Sequence, residues 1–136
     1  MRKRKVLLLE DSPDDELFTL RAFRRLSGID VHVARDGQAA LDWLEEFQPD
    51  LIVLDIQVPK VSGLEVLRYI RSNERLRVVP VVVLTSSNEE CDVEGSYALG
   101  ANSFVQKPVE YEAYQDAVRL IGEYWLGVDG SGSPVR

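Results

Sequence analysis

The chain has 136 residues, of which 45% are hydrophobic and 29% are charged, and its formal net charge is −7. This length and composition predict a single folded domain and exclude a disordered chain, and the acidic balance argues against a surface that binds nucleic acid. No apolar run approaches the ~20 residues of a membrane span, and the four apolar residues at 6–9 are too few for a signal peptide.

Strand-like runs alternate with helix-like segments along the chain. Strands are predicted at 6–9 (VLLL), 31–34 (VHVA), 51–55 (LIVLD), 81–85 (VVVLT) and 103–106 (SFVQ). Three of these runs are continuously apolar, which is typical of parallel strands covered on both faces. The second and the last are more polar, which favours positions at the edges of a sheet.

Helix-start signals follow the first three strands. Ser12 is the predicted N-cap of the first helix, which is predicted to end at Gly28. Asp36 caps the second helix, and Ser62 with Glu65 forms a capping-box pattern at the start of the third.

The fourth helix is predicted to begin at Asn88 and to end near Gly100. It contains Cys91, the only cysteine, which is expected to be a buried or half-buried filler. A single cysteine forms no disulfide framework, so we expect the reducing environment of the cytoplasm.

The fifth helix is predicted over 109–126 and carries two apolar stripes. One consists of Ala113, Ala117, Leu120 and Tyr124, and the other of Tyr114, Val118, Ile121 and Trp125. One stripe covers the sheet; the other is either additional core or a surface for docking or dimerisation.

Five consecutive strand–helix units predict an α/β fold with a doubly wound, five-stranded parallel sheet in the flavodoxin-like order 2-1-3-4-5. We expect residues 1–126 to form the domain. The Gly- and Ser-rich residues 127–136 are expected to be a flexible tail.

Polar residues collect where the predicted strands end. Glu10 and Asp11 follow the first strand, Asp55 ends the third, Thr85 ends the fourth and Lys107 follows the fifth. Ligands bind at this edge of such sheets. Carboxylates without histidine or cysteine form a site for a hard cation such as Mg²⁺, and a lysine with a threonine hydroxyl suits the remaining oxygens of a phosphoryl group.

The segments LLLEDSPDD, LIVLDIQVPKVSG, LTSS and FVQKP, in this order, resemble those of a response-regulator receiver domain over almost the whole chain. The resemblance implies that Asp55 accepts a phosphoryl group from a sensor histidine kinase. It also implies Mg²⁺ held by Asp11, Asp55 and the backbone carbonyl of Gln57, with Glu10 acting through water. Such a domain is no conventional enzyme, although it catalyses its own aspartyl phosphorylation and dephosphorylation.

Further roles follow from the same resemblance. Lys107 is expected to pair with the phosphoryl group and to precede Pro108 through a cis peptide bond. Thr85 is expected to swing towards the phosphate, and Phe104 to reposition with it. With no effector domain after residue 126, output is expected by partner docking, dimerisation or phosphate relay.

The PKVSG loop and the aromatic last helix resemble the single-domain regulators paired with phytochrome-type kinases. This narrower resemblance implies a red-light-sensing kinase, a bacteriophytochrome, as phosphoryl donor. It also implies a homodimer formed through strand 5 and helix 5.

Three alternatives share parts of this pattern. A dehalogenase-like phosphatase needs a second acid at position 57, where the chain has Gln57, and an FMN carrier needs a phosphate loop without the acids of EDSPDD. A receiver-like interaction module that is never phosphorylated shares the fold, and the complete set of chemical residues argues against it. His32, within a strand, is interpreted as structural and not as a phosphate relay.

Overall fold

The structure, a computed structural model, describes residues 3–127. Five strands alternate with five helices in the order β1 (Arg4–Leu9), α1 (Pro13–Arg24), β2 (Ile29–Ala34), α2 (Gly37–Glu46), β3 (Leu51–Leu54), α3 (Gly63–Ser72), β4 (Val81–Thr85), α4 (Glu90–Ala98), β5 (Ser103–Gln106) and α5 (Tyr111–Leu126). The strands form one parallel sheet in the order β2-β1-β3-β4-β5, which confirms the predicted fold. The predicted tail lies, apart from Gly127, outside the described residues.

Alternate side chains of the central strands enter two separate hydrophobic cores, because successive residues of a strand point to opposite faces of the sheet. Leu7, Ile52 and Val83 belong to the core on the side of α2 and α3. Leu8 and Val53 belong to the core beneath α1 and α5. Burial on both faces explains why β1, β3 and β4 are nearly continuous apolar runs, and the more polar β2 and β5 lie at the edges as predicted.

The first three helix starts follow the predicted caps. The side chain of Ser12 accepts from Asp15 N–H, that of Asp36 from Ala39 N–H and that of Ser62 from Glu65 N–H. These bonds satisfy backbone donors that have no partner within the helix.

The first helix ends at Arg24, earlier than the predicted end at Gly28. Its last turn tightens, since the backbone N–H of Leu26 bonds to the carbonyl of Phe23. Gly28, with a φ of 76°, instead forms the turn that leads into β2.

The fourth helix starts two residues later than predicted, at Glu90. The hydroxyl of Ser87 accepts from the N–H of Glu89 and donates to Asp92, so it organises the turn before the helix. The expectation of a buried or half-buried Cys91 is wrong, because its side chain is exposed on α4. Nothing in the local sequence distinguished the solvent face of this helix, whose apolar residues follow no clear stripe.

Helix α5 buries one of its two predicted stripes. Tyr114, Val118 and Ile121 are buried against the sheet, and Trp125 packs partly against the same core. In the other stripe Leu120 is 56% exposed and Tyr124 is 78% exposed. The stripe that contains Leu120 and Tyr124 is therefore a surface and not additional core.

The ring of His32 stacks on the indole of Trp43 with centroids 4.9 Å apart, a contact that fits its interpretation as structural. Within residues 3–127, no helix combines the length and apolar character that a membrane crossing requires.

Candidate active site

Strand register brings the polar residues together at one edge of the sheet. Leu9 of β1 pairs with Leu54 of β3, so Glu10 and Asp55 leave the sheet side by side. The backbone N–H of Asp55 donates to the carbonyl of Leu9 at 3.0 Å. At the other side, the backbone N–H of Lys107 donates to the carbonyl of Thr85 at 2.7 Å. All five side chains predicted from the strand ends therefore occupy one site.

Lys107 lies at the centre of this site with only 5% of its side chain exposed. Its Nζ lies 2.7 Å from Oε1 of Glu10, 2.8 Å from Oδ2 of Asp55 and 2.8 Å from Oδ2 of Asp15. An ammonium group has three N–H donors, and these three carboxylates accept all of them.

The carboxylate of Asp55 is held through both oxygens. Oδ2 accepts from Lys107, whereas Oδ1 accepts from the hydroxyl of Thr85 at 2.7 Å and from the backbone N–H of Gln57 at 3.1 Å. Asp55 is 6% exposed and Thr85 fully buried, so the carboxylate has one orientation at the bottom of the site. The hydroxyl of Thr85 thus already points towards Asp55 in this conformation.

The pKa values of Glu10 and Lys107 are both raised, which disfavours the charged carboxylate of Glu10 and favours the charged ammonium of Lys107. Burial of Glu10 raises its pKa to about 7, although the hydrogen bond from Lys107 opposes this. Burial alone disfavours the charged ammonium of Lys107, but its hydrogen bonds to Asp15, Asp55 and Glu10 outweigh that effect and raise its pKa above the usual value. These hydrogen bonds therefore favour the charged form of Lys107.

Three acidic side chains have the chemistry of a metal site. We call this group, which consists of Glu10, Asp11 and Asp55, the acidic cluster. One carboxylate oxygen from each lies within 4.8 Å of the others. Oxygen-only donors fit Mg²⁺ and other hard divalent cations. Asp11 is exposed while the other two are buried, so the cluster opens to solvent through Asp11.

Two glycines let the backbone approach the site closely. A Cβ on Gly63 would lie 2.1 Å from the carbonyl oxygen of Asp55, and one on Gly37 would lie 1.7 Å from the carbonyl oxygen of Val61. The N–H of Gly63 also donates to the carbonyl of Ile56 at 3.0 Å. The loop after β3 therefore has its present path only because these positions lack side chains.

Comparisons with known proteins show the family to which this chain belongs. The sequence matches the response regulator receiver domain family over residues 6–119. The chain is a response regulator receiver domain. The probable methanogenesis regulatory protein FilR2 of Methanothrix harundinacea is 40% identical over 136 residues, covering 95% of this chain and 88% of that protein.

Two solved structures have the same fold as this receiver domain. The phosphorylated cyanobacterial phytochrome response regulator RcpA is 34% identical, with a TM-score of 0.88 over 91% of this chain and 94% of that one. The Mn²⁺-bound form of response regulator Rcp1 is 34% identical, with a TM-score of 0.86 over 90% of this chain and 94% of that one.

The predicted cis peptide bond between Lys107 and Pro108 is wrong for this receiver domain. The bond is trans, and no cis peptide bond occurs within residues 3–127. Because the two isomers of a bond before proline differ by only about 0.5–1 kcal/mol, the dipeptide sequence does not determine which one is present.

Two further residues that the sequence predicts for the site, Phe104 and Gln57, lie at its margins. Phe104 is half-buried against the core beside α2 and α3, and its backbone N–H donates to the hydroxyl of Tyr97 on α4 at 3.1 Å. Gln57 is exposed two residues after Asp55, and it contributes the backbone N–H described above.

Sequence reasoning missed Asp15 as a residue of this site. The local sequence explains its acidic side chain only as a favourable charge in the first turn of α1. Its position in the first turn after β1 was a usable signal, since that turn lies at the edge of the sheet where the other acids collect. Its partner Lys107 is 92 residues away in sequence, and no local pattern connects the two.

Proposed function

We propose that this receiver domain accepts a phosphoryl group from a histidine kinase onto Asp55 and signals through the resulting change of its surface. The observation that carries the proposal is the set of contacts on one buried carboxylate. Asp55 accepts from Lys107 on one oxygen and from Thr85 on the other, beside the remaining acids of the acidic cluster.

The chemistry is an in-line displacement at phosphorus. A carboxylate oxygen of Asp55 attacks, the bond between phosphorus and the imidazole nitrogen of the kinase breaks, and its electron pair returns to that nitrogen. Lys107 donates to a phosphoryl oxygen and balances its charge, since its own pKa keeps it protonated. Thr85 transfers its hydrogen bond from Oδ1 of Asp55 to another phosphoryl oxygen. The same residues serve dephosphorylation, in which water attacks phosphorus, the bond between phosphorus and the Asp55 oxygen breaks, and the carboxylate leaves as inorganic phosphate forms.

The residues that would hold Mg²⁺ are Asp11, Asp55 and the backbone carbonyl of Gln57, with Glu10 acting through water. When bound, the cation neutralises charge on the phosphoryl oxygens. The oxygen-only composition and compact spacing of the acidic cluster support this assignment, as does the Mn²⁺-bound form of the similar regulator Rcp1.

Movement of Thr85 and Phe104 is the proposed link from the site to the outer surface. Thr85 ends β4 and contacts Asp55, while Phe104 lies on β5 with its N–H on Tyr97 of α4. A shift of Phe104 therefore changes the contact between β5 and α4. Because Phe104 has no hydroxyl, the proposed switch acts through packing.

Phosphorylation is tested with acetyl phosphate and Mg²⁺, followed by intact-mass measurement. We expect one phosphoryl adduct on the wild-type chain and none on Asp55→Asn, whereas the matched control Asp14→Asn, an exposed acid on α1, is modified normally. Chelation of Mg²⁺ is expected to abolish the adduct. The same adduct on Asp55→Asn refutes the assignment, and an unmodified wild-type chain favours the phosphorylation-independent module.

We also propose a homodimer through β5 and α5. The edge strand β5 and the exposed stripe of α5 border an open groove of about 590 Å³, whose lining includes Val105, Leu120, Tyr124 and Trp125. Exposed apolar area of this kind is typical of interaction surfaces. A second copy of the chain presents the same groove and stripe and is the proposed occupant.

Dimerisation is tested by sedimentation velocity across protein concentration, with and without beryllofluoride as a phosphoryl mimic. The double substitution Leu120→Glu and Tyr124→Glu is expected to leave a monomer. The control Val78→Glu, at a 75% exposed apolar residue outside this surface, is expected to dimerise like the wild type. A wild-type mass that stays monomeric at every concentration rules the dimer out.

The proposed phosphoryl donor is a phytochrome-type histidine kinase, a bacteriophytochrome, and the proposed location is the cytoplasm. The similarity to the cyanobacterial phytochrome response regulator RcpA supports this class of donor. A phosphotransfer panel that includes phytochrome-type and other sensor kinases tests it directly, and faster transfer from an unrelated kinase class contradicts it.

A further inference from the structure

Lys107 is held by one carboxylate that does not belong to the acidic cluster. Its three acceptors are Glu10, Asp55 and Asp15. In the proposed function the first two have other partners during the reaction, because both belong to the acidic cluster and Asp55 also receives the phosphoryl group. Asp15 alone has no such second task.

The position of Asp15 is fixed by its own surroundings. Its backbone N–H donates to the hydroxyl of Ser12 at 3.3 Å, and its backbone carbonyl lies 3.5 Å from the hydroxyl of Tyr114 on α5. That hydroxyl also shares a hydrogen bond of 2.9 Å with Thr19 of α1. The contact between α1 and α5 therefore holds the segment from which the carboxylate reaches Lys107.

We propose that Asp15 is a positioning residue for phosphoryl transfer, which acts by keeping the ammonium of Lys107 in place. As Glu10 and Asp55 exchange Lys107 for their reaction partners, Asp15 retains one of its N–H groups and leaves the others free for phosphoryl oxygens. Without Asp15, the ammonium is held only by the carboxylates that must release it, and one of these is the nucleophile. This inference rests on the proposed function of Asp55.

The first test measures the ammonium itself in metal-free protein. Nζ hydrogens that donate to three carboxylates exchange slowly with water, so the Lys107 ammonium resonance is expected in a ¹H–¹⁵N spectrum of the chelator-treated wild type. We expect at least about tenfold faster exchange in Asp15→Asn, the scale of losing one charge-assisted hydrogen bond. Asp14→Asn, which removes the same charge from the same helical turn, is expected to leave the exchange unchanged.

The second test measures phosphorylation by acetyl phosphate under identical Mg²⁺ concentrations. Asp15→Asn is expected to slow the reaction about tenfold, with partial recovery in Asp15→Glu and a normal rate in Asp14→Asn. In a Lys107→Met background, Asp15→Asn is expected to change the remaining rate less than twofold, because no ammonium is left to position.

The outcomes separate this inference from the proposed function. An unchanged or faster rate in Asp15→Asn, or an equal loss in the Lys107→Met background, overturns the role of Asp15 while wild-type phosphorylation on Asp55 still stands. Slow ammonium exchange that persists in Asp15→Asn also overturns it. Failure of the wild-type chain to be phosphorylated refutes the proposed function instead.

Discussion

Replacing Gly63 by alanine is expected to destabilise the protein, although the same change usually stabilises a helix. Alanine in a helix is ordinarily more stable than glycine by about 0.5–1 kcal/mol. At Gly63 the added Cβ would lie 2.1 Å from the carbonyl oxygen of Asp55 and 2.8 Å from Cα of Ile56. Both are backbone atoms, so relief requires α3 or the Asp55 peptide to move by about 1 Å in a close-packed interior.

The expected loss follows from the cost of overpacking. Insertion of a methyl group into a packed site costs about 1–3 kcal/mol, and contact with backbone places Gly63→Ala at the upper end, about 3 kcal/mol. Gly95→Ala on α4 is the matched control, because its Cβ meets only Cδ1 of Leu64 at 3.8 Å, an ordinary contact. The control is expected to gain about 0.5–1 kcal/mol.

Urea denaturation followed by circular dichroism measures both free energies of unfolding. The two substitutions should change the unfolding midpoint in opposite directions, and thermal melting should show Gly63→Ala roughly 10 °C below the wild type. Because the clash involves the carbonyl of Asp55, phosphorylation by acetyl phosphate should also slow in Gly63→Ala and stay normal in Gly95→Ala. A Gly63→Ala protein as stable as the wild type would show that the close approach does not constrain the loop, and would refute this reasoning.

Two further predictions concern residues outside the acidic cluster. Arg71 donates four hydrogen bonds to the segments that precede β4 and β5, so Arg71→Ala should lower the free energy of unfolding in urea by about 2–4 kcal/mol, whereas Arg68→Ala on the exposed face of the same helix should change it little. Burial raises the pKa of Tyr114 from 10.0 to about 12, so its stabilising contribution is complete below about pH 10 and is lost as the pH rises through 12, a loss of about 2–3 kcal/mol. Tyr114→Phe should therefore show a shallower fall of stability between these pH values, and an unchanged slope would contradict the assignment.

Local patterns were sufficient to predict the elements and their order. The continuous apolar runs of β1, β3 and β4 reflect burial on both faces, which only interior strands of a covered parallel sheet experience. Ser12, Asp36 and Ser62 cap helices as predicted because a cap satisfies donors only three residues away. Such features depend on residues that are close in sequence, so the sequence alone is enough to predict them.

The residues at the strand ends were also predictable, since a parallel sheet gathers the carboxyl ends of its strands at one edge. Glu10, Asp55, Thr85 and Lys107 meet there as expected. Element boundaries were less certain. The first helix ends before Gly28 because backbone hydrogen bonds between residues three apart tighten its last turn, and no side-chain pattern predicts such bonds.

What the sequence determined by itself is the α/β fold, the strand order and the edge of the sheet at which the acids and the lysine collect. Only the tertiary structure decided that Asp15 reaches Lys107, that Gly63 meets the carbonyl of Asp55, that Cys91 faces solvent and that the bond before Pro108 is trans. The contacts of Asp15 and Gly63 depend on how closely α1 and α3 pack beside strands that are distant in sequence. The exposure of Cys91 depends on the rotation of α4, and the isomer at Pro108 on a small energy difference. Periodicity and capping describe a residue and its neighbours along the chain, whereas these features depend on neighbours in space.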